Sequence, residues 1–298
     1  MYKMKLEGIF PPVTTPFDEN GCIEHNHLSE NIERWNETEI SGYLILGSNG
    51  EFIFLNEDEK LDIVSTARKA IPSSKKMLVG TGLESTKGTI EFTERAADCG
   101  VDVTAVITPH FFRNDMSHEA FLKHYLKVAD NSPIPVLLYN VPPFTEVNLE
   151  AKTAAVLSSH ENIIGIKDSS GNVEQLSEII NLTKDEKFSV LTGSSIVLYP
   201  SLCIGAAGGI MAIACVLPER CTDMIRLYRD GNHTEAKALQ MQLIEPTIAI
   251  TSRYGIPGLK AAMDLFGYHA GKSRLPLLPI SDAEIKNIKD IFKNAGFL

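Results

Sequence analysis

The chain has 298 residues, with 28 Lys+Arg against 38 Asp+Glu and a formal net charge of −10. With 44% hydrophobic and 22% charged residues it is a globular chain rather than a disordered or fibrous one. The acidic balance speaks against nucleic acid as a partner, because phosphate binding needs clustered Lys/Arg, and against docking on an anionic membrane. The length allows two ordinary domains or one α/β barrel of about 250 residues. The charge is uneven: residues 1–217 hold 17 basic and 29 acidic side chains, residues 218–298 hold 11 and 9.

From the N-terminus, which shows no signal-peptide pattern, short apolar β-rich runs recur. They are Gly8–Val13, Tyr43–Leu46, Met77–Gly80, Val103–Thr108, Pro135–Tyr139, Ile163–Lys167, Phe188–Leu191 and Gly209–Ile213. Amphipathic stretches alternate with them: Glu24–Glu37, Asn56–Ala70, Thr86–Cys99, Ser117–Ala129, Leu149–Ser158 and Asn172–Ile180. Asn56-Glu57-Asp58-Glu59, Ser117-His118-Glu119 and Asn172-Val173-Glu174-Gln175 carry helix-capping chemistry. Eight strand–helix alternations without a G-x-G-x-x-G after the first strand predict a (β/α)8 TIM barrel over 1–217 rather than an open doubly wound sheet. Phe188–Pro218 lacks any charge, but Gly193-Ser194-Ser195, Tyr199-Pro200 and Gly205–Gly209 break it into buried strand, helix and strand rather than a membrane span. From Pro218 only helices are predicted: Pro218–Asp230, Thr234–Ile250, Gly258–Phe266 and Ser281–Asn294, broken at Pro257 and Pro276/Pro279. Residues 218–298 therefore read as a C-terminal helical extension packed on the barrel.

The remaining chemistry reads plainly. Cys22, Cys99, Cys203, Cys215 and Cys221 are odd in number and form no C-x-x-C pair, so they are expected to be reduced, buried thiols. No H-E-x-x-H, G-x-S-x-G or P-loop pattern occurs. His25-x-His27 and Glu24, Glu30, Glu33, Glu37 and Glu39 read as a solvated helix face, with no metal site. Ser194-Ser195 read as a helix N-cap.

In a barrel, function sits where strands end at the C-terminal face. The sixth run ends in Lys167-Asp168. Burial disfavours an ammonium, so a lysine there can present an amine to a carbonyl, or else pair with Asp168 or Glu51. The fifth run ends in Tyr139-Asn140, whose hydroxyl at that level can move protons or simply pack in the core. The second run ends in Gly47-Ser48-Asn49-Gly50-Glu51, a tight turn offering N–H groups and side-chain donors to an anion.

These three motifs, in this order and spacing, resemble the pyruvate-dependent class I aldolases, the dihydrodipicolinate synthase and N-acetylneuraminate lyase family, from about Leu6 to Leu298. Gly-Ser-Asn-Gly-Glu-Phe, with Leu243–Pro246, Arg253–Lys260 and Phe266-Gly267-Tyr268, most resembles its 4-hydroxy-2-oxoglutarate aldolase branch. The resemblance implies an imine on Lys167, proton relay by Tyr139 and carboxylate binding by Ser48 and Asn49. It also implies a site lined by Ser169, Gly193 and Ile210, with no cofactor besides the covalent imine. It further implies a cytoplasmic homo-oligomer, tetramer or dimer, acting on pyruvate and an aldehyde. Two positions depart from the family. Phe144 stands where the synthases carry an arginine for the second substrate's carboxylate, and Phe111 stands where a tyrosine is usually lent across a subunit interface, leaving His110, water or a shorter relay. The expectation is therefore cleavage of a 4-hydroxy-2-oxo acid, 4-hydroxy-2-oxoglutarate first, to pyruvate and an aldehyde such as glyoxylate. The alternatives are 4-hydroxy-tetrahydrodipicolinate synthesis and a non-catalytic oxo-acid binder.

Overall fold

The computed structural model describes residues 4–298. Eight strands form one sheet in the order β1-β8-β7-β6-β5-β4-β3-β2. They are β1 (Gly8–Phe10), β2 (Gly42–Ile45), β3 (Lys76–Gly80), β4 (Val103–Ile107), β5 (Val136–Asn140), β6 (Ile163–Asp168), β7 (Ser189–Thr192) and β8 (Gly208–Ile210). The ladders from β3 through β8 are parallel. A parallel bridge, Pro12↔Leu44, joins the chain after β1 to β2. The fold is a (β/α)8 TIM barrel followed by helices.

β1 is shorter than the apolar run Gly8–Val13 because Pro11 and Pro12 have no N–H to give a ladder. The predicted last strand is also cut, since Ala212–Cys215 coils into a 3-10 turn. Asn56 and Ser281 form full capping boxes with Glu59 and Glu284. Asn172 caps its helix, but Gln175 does not close a box; its amide is drawn to Asp168 instead. Ser194 precedes a 3-10 turn and makes no side-chain cap. Pro257 does not end a helix as expected. It sits in the first turn of Gly255–Leu265, where its missing N–H costs nothing. A π-helical stretch, Ala249–Arg253, separates that helix from His233–Ile248. Cys215 and Cys221 are buried, whereas Cys22 and Cys203 are exposed and Cys99 is partly so; all five are free thiols. The burial expected of every cysteine fails where the residue lies in a turn or at a helix end. No helix among the described residues is long and apolar enough to cross a membrane.

The chain divides into two compact units: the segment up to Gly8 with Met77–Ile210, and Ile9–Lys76 with Met211–Leu298. In the first, Val106, Val136, Leu138, Ile163 and Ile166 pack under Phe121, Tyr125, Leu157, Leu176 and Ile179 of the covering helices. Each such buried side chain contributes about 1.5–3 kcal/mol. The β5–β6 ladder carries a bulge there, with Val136 opposite Ile163 but Leu137 opposite Gly165. That extra residue shifts the strand's alternation, so Ile163 and Ile166 both lie in the helix-facing layer and Lys167 points to the other face. In the second unit, Leu28, Ile32 and Trp35 of helix His25–Asn36 are buried, and Trp35 lies 5.2 Å from the ring of Tyr268.

Candidate active site

Tyr139 and Lys167 face each other across adjacent strands in register. Both are buried, at 4% exposure each, and the Lys167 amine sits 4.0 Å above the Tyr139 ring. Neither carboxylate suggested as a partner takes this amine. Glu51 is bound to Lys260. Asp168 points away from Lys167 and accepts from Asn140 at 2.9 Å, Gln175 at 2.6 Å and both the N–H and hydroxyl of Ser170. Asn140 in turn binds Asn148 and the N–H of Leu149. The carboxylate is thus satisfied by neutral donors on the helix side of the sheet, which fixes the strand end without spending a charge on Lys167.

Ser169 continues β6 with its N–H on the Asn140 carbonyl, 2.8 Å. Gly193 follows β7, its N–H on the Asp168 carbonyl, 2.6 Å. A Cβ on Gly193 would collide with the Ser169 side chain, so the two predicted lining residues touch and glycine is required there. Ile210 ends β8, one position beyond the Thr192↔Gly209 pair, and is fully buried. The structure thus brings Lys167 to Tyr139 and Ser169 to Gly193.

The loop after β4 is held by Glu84, which belongs to none of the three strand-end motifs. Glu84 accepts the N–H groups of His110 and Phe111 at 3.0 and 2.8 Å, and its other oxygen meets His110 Nδ1 at 3.0 Å. Phe111 and Phe112 stand edge to face, 76% and 68% exposed. Phe144 is 65% exposed on the short helix Pro142–Thr145. Thr108 Oγ1, buried, has no hydrogen-bond partner among the described residues.

In the second unit, Ser48–Gly50 form a 3-10 turn. The N–H groups of Gly50 and Glu51 are used inside that turn, bonding Gly47 and Ser48 carbonyls. Ser48 and Asn49 are half-buried in that turn. Only three non-glycine described residues have positive φ: Leu46, Glu51 and Glu146. Leu46 and Glu51 bracket the Gly47–Gly50 turn. Each costs about 1–2 kcal/mol in that conformation, so the surroundings must enforce it. Nothing in the local sequence announced this.

His27, Glu30 and His269 bring ligand-type atoms within 4.8 Å of one another. The imidazoles stack at 16° between planes, so their in-plane lone pairs run nearly parallel rather than converging on an ion. His27 Nδ1 lies 3.1 Å from a Glu24 carboxylate oxygen.

A TIM barrel with a buried lysine and a tyrosine in register at the ends of β5 and β6 has the architecture of a Schiff-base lyase. The chain belongs to the dihydrodipicolinate synthetase family, whose profile matches residues 5–295. It is 36% identical over 286 residues to 4-hydroxy-tetrahydrodipicolinate synthase of Methanothrix thermoacetophila, covering 96% of each chain. It is 34% identical over 293 residues to the same-named protein of Methanoculleus marisnigri, covering 98% of this chain and all of that one. Among solved structures, dihydrodipicolinate synthase DapA-2 of Bacillus anthracis superposes with a TM-score of 0.93 at 28% identity, covering 97% and 99% of the chains. YagE, an Escherichia coli K12 prophage protein of the dihydrodipicolinic acid synthase family solved in complex with pyruvate, gives 0.92 at 27%, covering 98% and 99%. The family is one of pyruvate-dependent Schiff-base lyases.

Proposed function

We propose that this chain joins or splits pyruvate and an aldehyde through an imine on Lys167. The observation that carries the reading is the buried Lys167 amine 4.0 Å over Tyr139, with neither Asp168 nor Glu51 as its counter-ion. The amine attacks C2 of the 2-oxo acid and water leaves. The protonated imine then draws electrons from C3, so a proton is lost there and an enamine forms. The enamine carbon attacks the aldehyde carbonyl, or in reverse is released when that bond breaks; hydrolysis frees the lysine. Tyr139 moves protons between substrate oxygen, nitrogen and water. Ser48 and Asn49 receive the carboxylate, and Ser169, Gly193 and Ile210 line the site. The imine itself is the electron sink, so the scheme needs no metal or other cofactor.

The names of the relatives support 4-hydroxy-tetrahydrodipicolinate synthesis, with aspartate semialdehyde as the aldehyde. Cleavage of 4-hydroxy-2-oxoglutarate to pyruvate and glyoxylate is the second reading, favoured by Phe144, whose exposed ring gives a second carboxylate no cation where the synthases carry arginine. The resemblance adds a cytoplasmic setting and a dimer or tetramer, which light scattering reads directly.

Borohydride reduction with pyruvate tests the shared step. A pyruvate-derived adduct on Lys167, found by peptide mass spectrometry, is expected; an unmodified Lys167 overturns the reading. Comparing condensation of aspartate semialdehyde with cleavage of 4-hydroxy-2-oxoglutarate then separates the two reactions.

A further inference from the structure

Outside the lysine–tyrosine pair, the most fully connected group of buried charges lies behind the Ser48–Asn49 turn. Glu51, 1% exposed and left-handed at φ 56°, ends the turn. One carboxylate oxygen meets Lys260 Nζ at 2.6 Å, and the other accepts the Arg274 backbone N–H at 2.8 Å. Lys260, 2% exposed, donates to the carbonyls of Thr15 at 2.8 Å and Lys272 at 2.5 Å. Thr15 passes the restraint on, its hydroxyl donating to the Gly50 carbonyl at 2.7 Å. The Arg274 guanidinium binds the Gly21 and Phe54 carbonyls and grips Glu59 at 2.7 and 3.0 Å. Both cations lie over the same ring, Phe17, at 4.8 and 4.3 Å.

Lys260 comes from helix Gly255–Leu265 and Arg274 from the segment after it. Burying an ion pair is costly, and an apolar pair would hold two helices as well. This pair is aimed at one place, the left-handed residue that closes the turn, and Lys260 also holds the carbonyl of Thr15, whose hydroxyl binds the Gly50 carbonyl of that turn.

We propose that Lys260 and Arg274 of the C-terminal extension are positioning residues that, through Glu51, hold Ser48 and Asn49 in the conformation that binds the carboxylate of the 2-oxo acid. This rests on the reading that the turn receives that carboxylate. None of the three touches substrate. The extension is then a determinant of affinity for the oxo acid, while the lysine that reacts is set by its own strand.

The test separates affinity from reactivity. Inactivation of the full chain by borohydride is followed against pyruvate concentration for the unmutated protein, Lys260→Met and Glu51→Gln. Lys260→Met is expected to raise the half-saturating pyruvate concentration at least tenfold while the plateau yield of Lys167 adduct stays within twofold. Glu51→Gln, which keeps the shape and one carbonyl oxygen for Lys260, is expected to raise it at least threefold with the same plateau, and carries the test if Lys260→Met does not fold. An unchanged half-saturation in a folded variant, or a lost plateau at unchanged half-saturation, overturns the positioning role. Failure of the unmutated protein to trap pyruvate at all is a different result: it removes the imine reading, and this inference with it.

Discussion

Two parts of the molecule hold the polar residues of the three strand-end motifs, and they are built on different principles. At the ends of β5 and β6, Tyr139 and Lys167 are placed by ladder register and a bulge, and the one buried carboxylate beside them, Asp168, is satisfied by neutral amides and a hydroxyl. The turn after β2 is held at Glu51 by the charge of Lys260 and the backbone N–H of Arg274, both from more than 200 residues away in the chain. The contrast follows from chemistry. A lysine that must react is best left without a counter-ion, because an adjacent carboxylate favours its ammonium. A turn that must hold a strained backbone has no such restriction, and charge-assisted bonds are the strongest available to it.

The largest effect that sharpens this contrast is chemical. Lys167→Ala is expected to lower turnover by roughly 10³-fold or more while leaving the fold intact, since no ion pair or hydrogen bond of the ladder depends on that side chain. Circular dichroism and thermal melting check the second half. Unchanged turnover would place the chemistry on another residue.

The second effect is on acid stability. In the first unit His124 lies under the sheet, 6% exposed, its Nδ1 on Thr86 Oγ1 at 2.9 Å. Burial pushes its pKa down to about 4, only partly opposed by Glu84. The unfolded chain therefore takes up a proton near 6.5 that the folded one refuses until about 4. Stability is full above pH 6.5 and falls as pH drops toward 4, by at most roughly 3 kcal/mol. Urea unfolding from pH 7 to 4 measures the loss, and His124→Asn should flatten it. In the second unit Arg274 holds Glu59 below the ordinary carboxylate range, so that contact weakens only at more acidic pH. A variant with the same acid slope as the unmutated chain would break the contrast.

The third is Gln175→Leu. Gln175 donates to the Oδ2 oxygen of the buried Asp168 at 2.6 Å, and its loss leaves a desolvated carboxylate short of a donor, costing about 2 kcal/mol. Denaturant midpoints at constant m-value check it. A neutral outcome would mean that Asn140 and Ser170 suffice to hold the carboxylate.

Much of the first region was legible in the sequence. Apolar runs ending in Tyr139 and Lys167, with turn and capping residues between them, mark strand ends whatever the rest of the chain does. The bulge was not legible. Ile163-Ile164-Gly165-Ile166 reads as an even apolar run, and only the pairing of Leu137 with Gly165 shows that one residue is out of step, which is what turns Lys167 to the inner face. In the second region Gly47–Glu51 announced a tight turn, but not the left-handed Leu46 and Glu51 or the identity of their support. Glu51 looked like a rim acid and Lys260 like one more helix lysine. Their partnership depends on how Gly255–Leu265 follows a π-helical stretch, which nothing in the local sequence marks.

The smallest effect is the one that separates burial from charge as such. Arg113 and Glu146 also form a close ion pair next to a left-handed residue, here Glu146 itself, in the first region. Their side chains are 56% and 67% exposed, so water screens the attraction and two long side chains lose freedom to make it. Arg113→Ala should therefore change stability by less than about 0.5 kcal/mol and leave the half-saturating pyruvate concentration within twofold. The Lys260–Glu51 pair joins opposite charges in the same way, but at 3% and 0% exposure, and is expected to govern that concentration. If Arg113→Ala and Lys260→Met shifted it equally, proximity of charge to a strained turn would be enough, and the buried support behind Ser48 and Asn49 would hold no special place in the site.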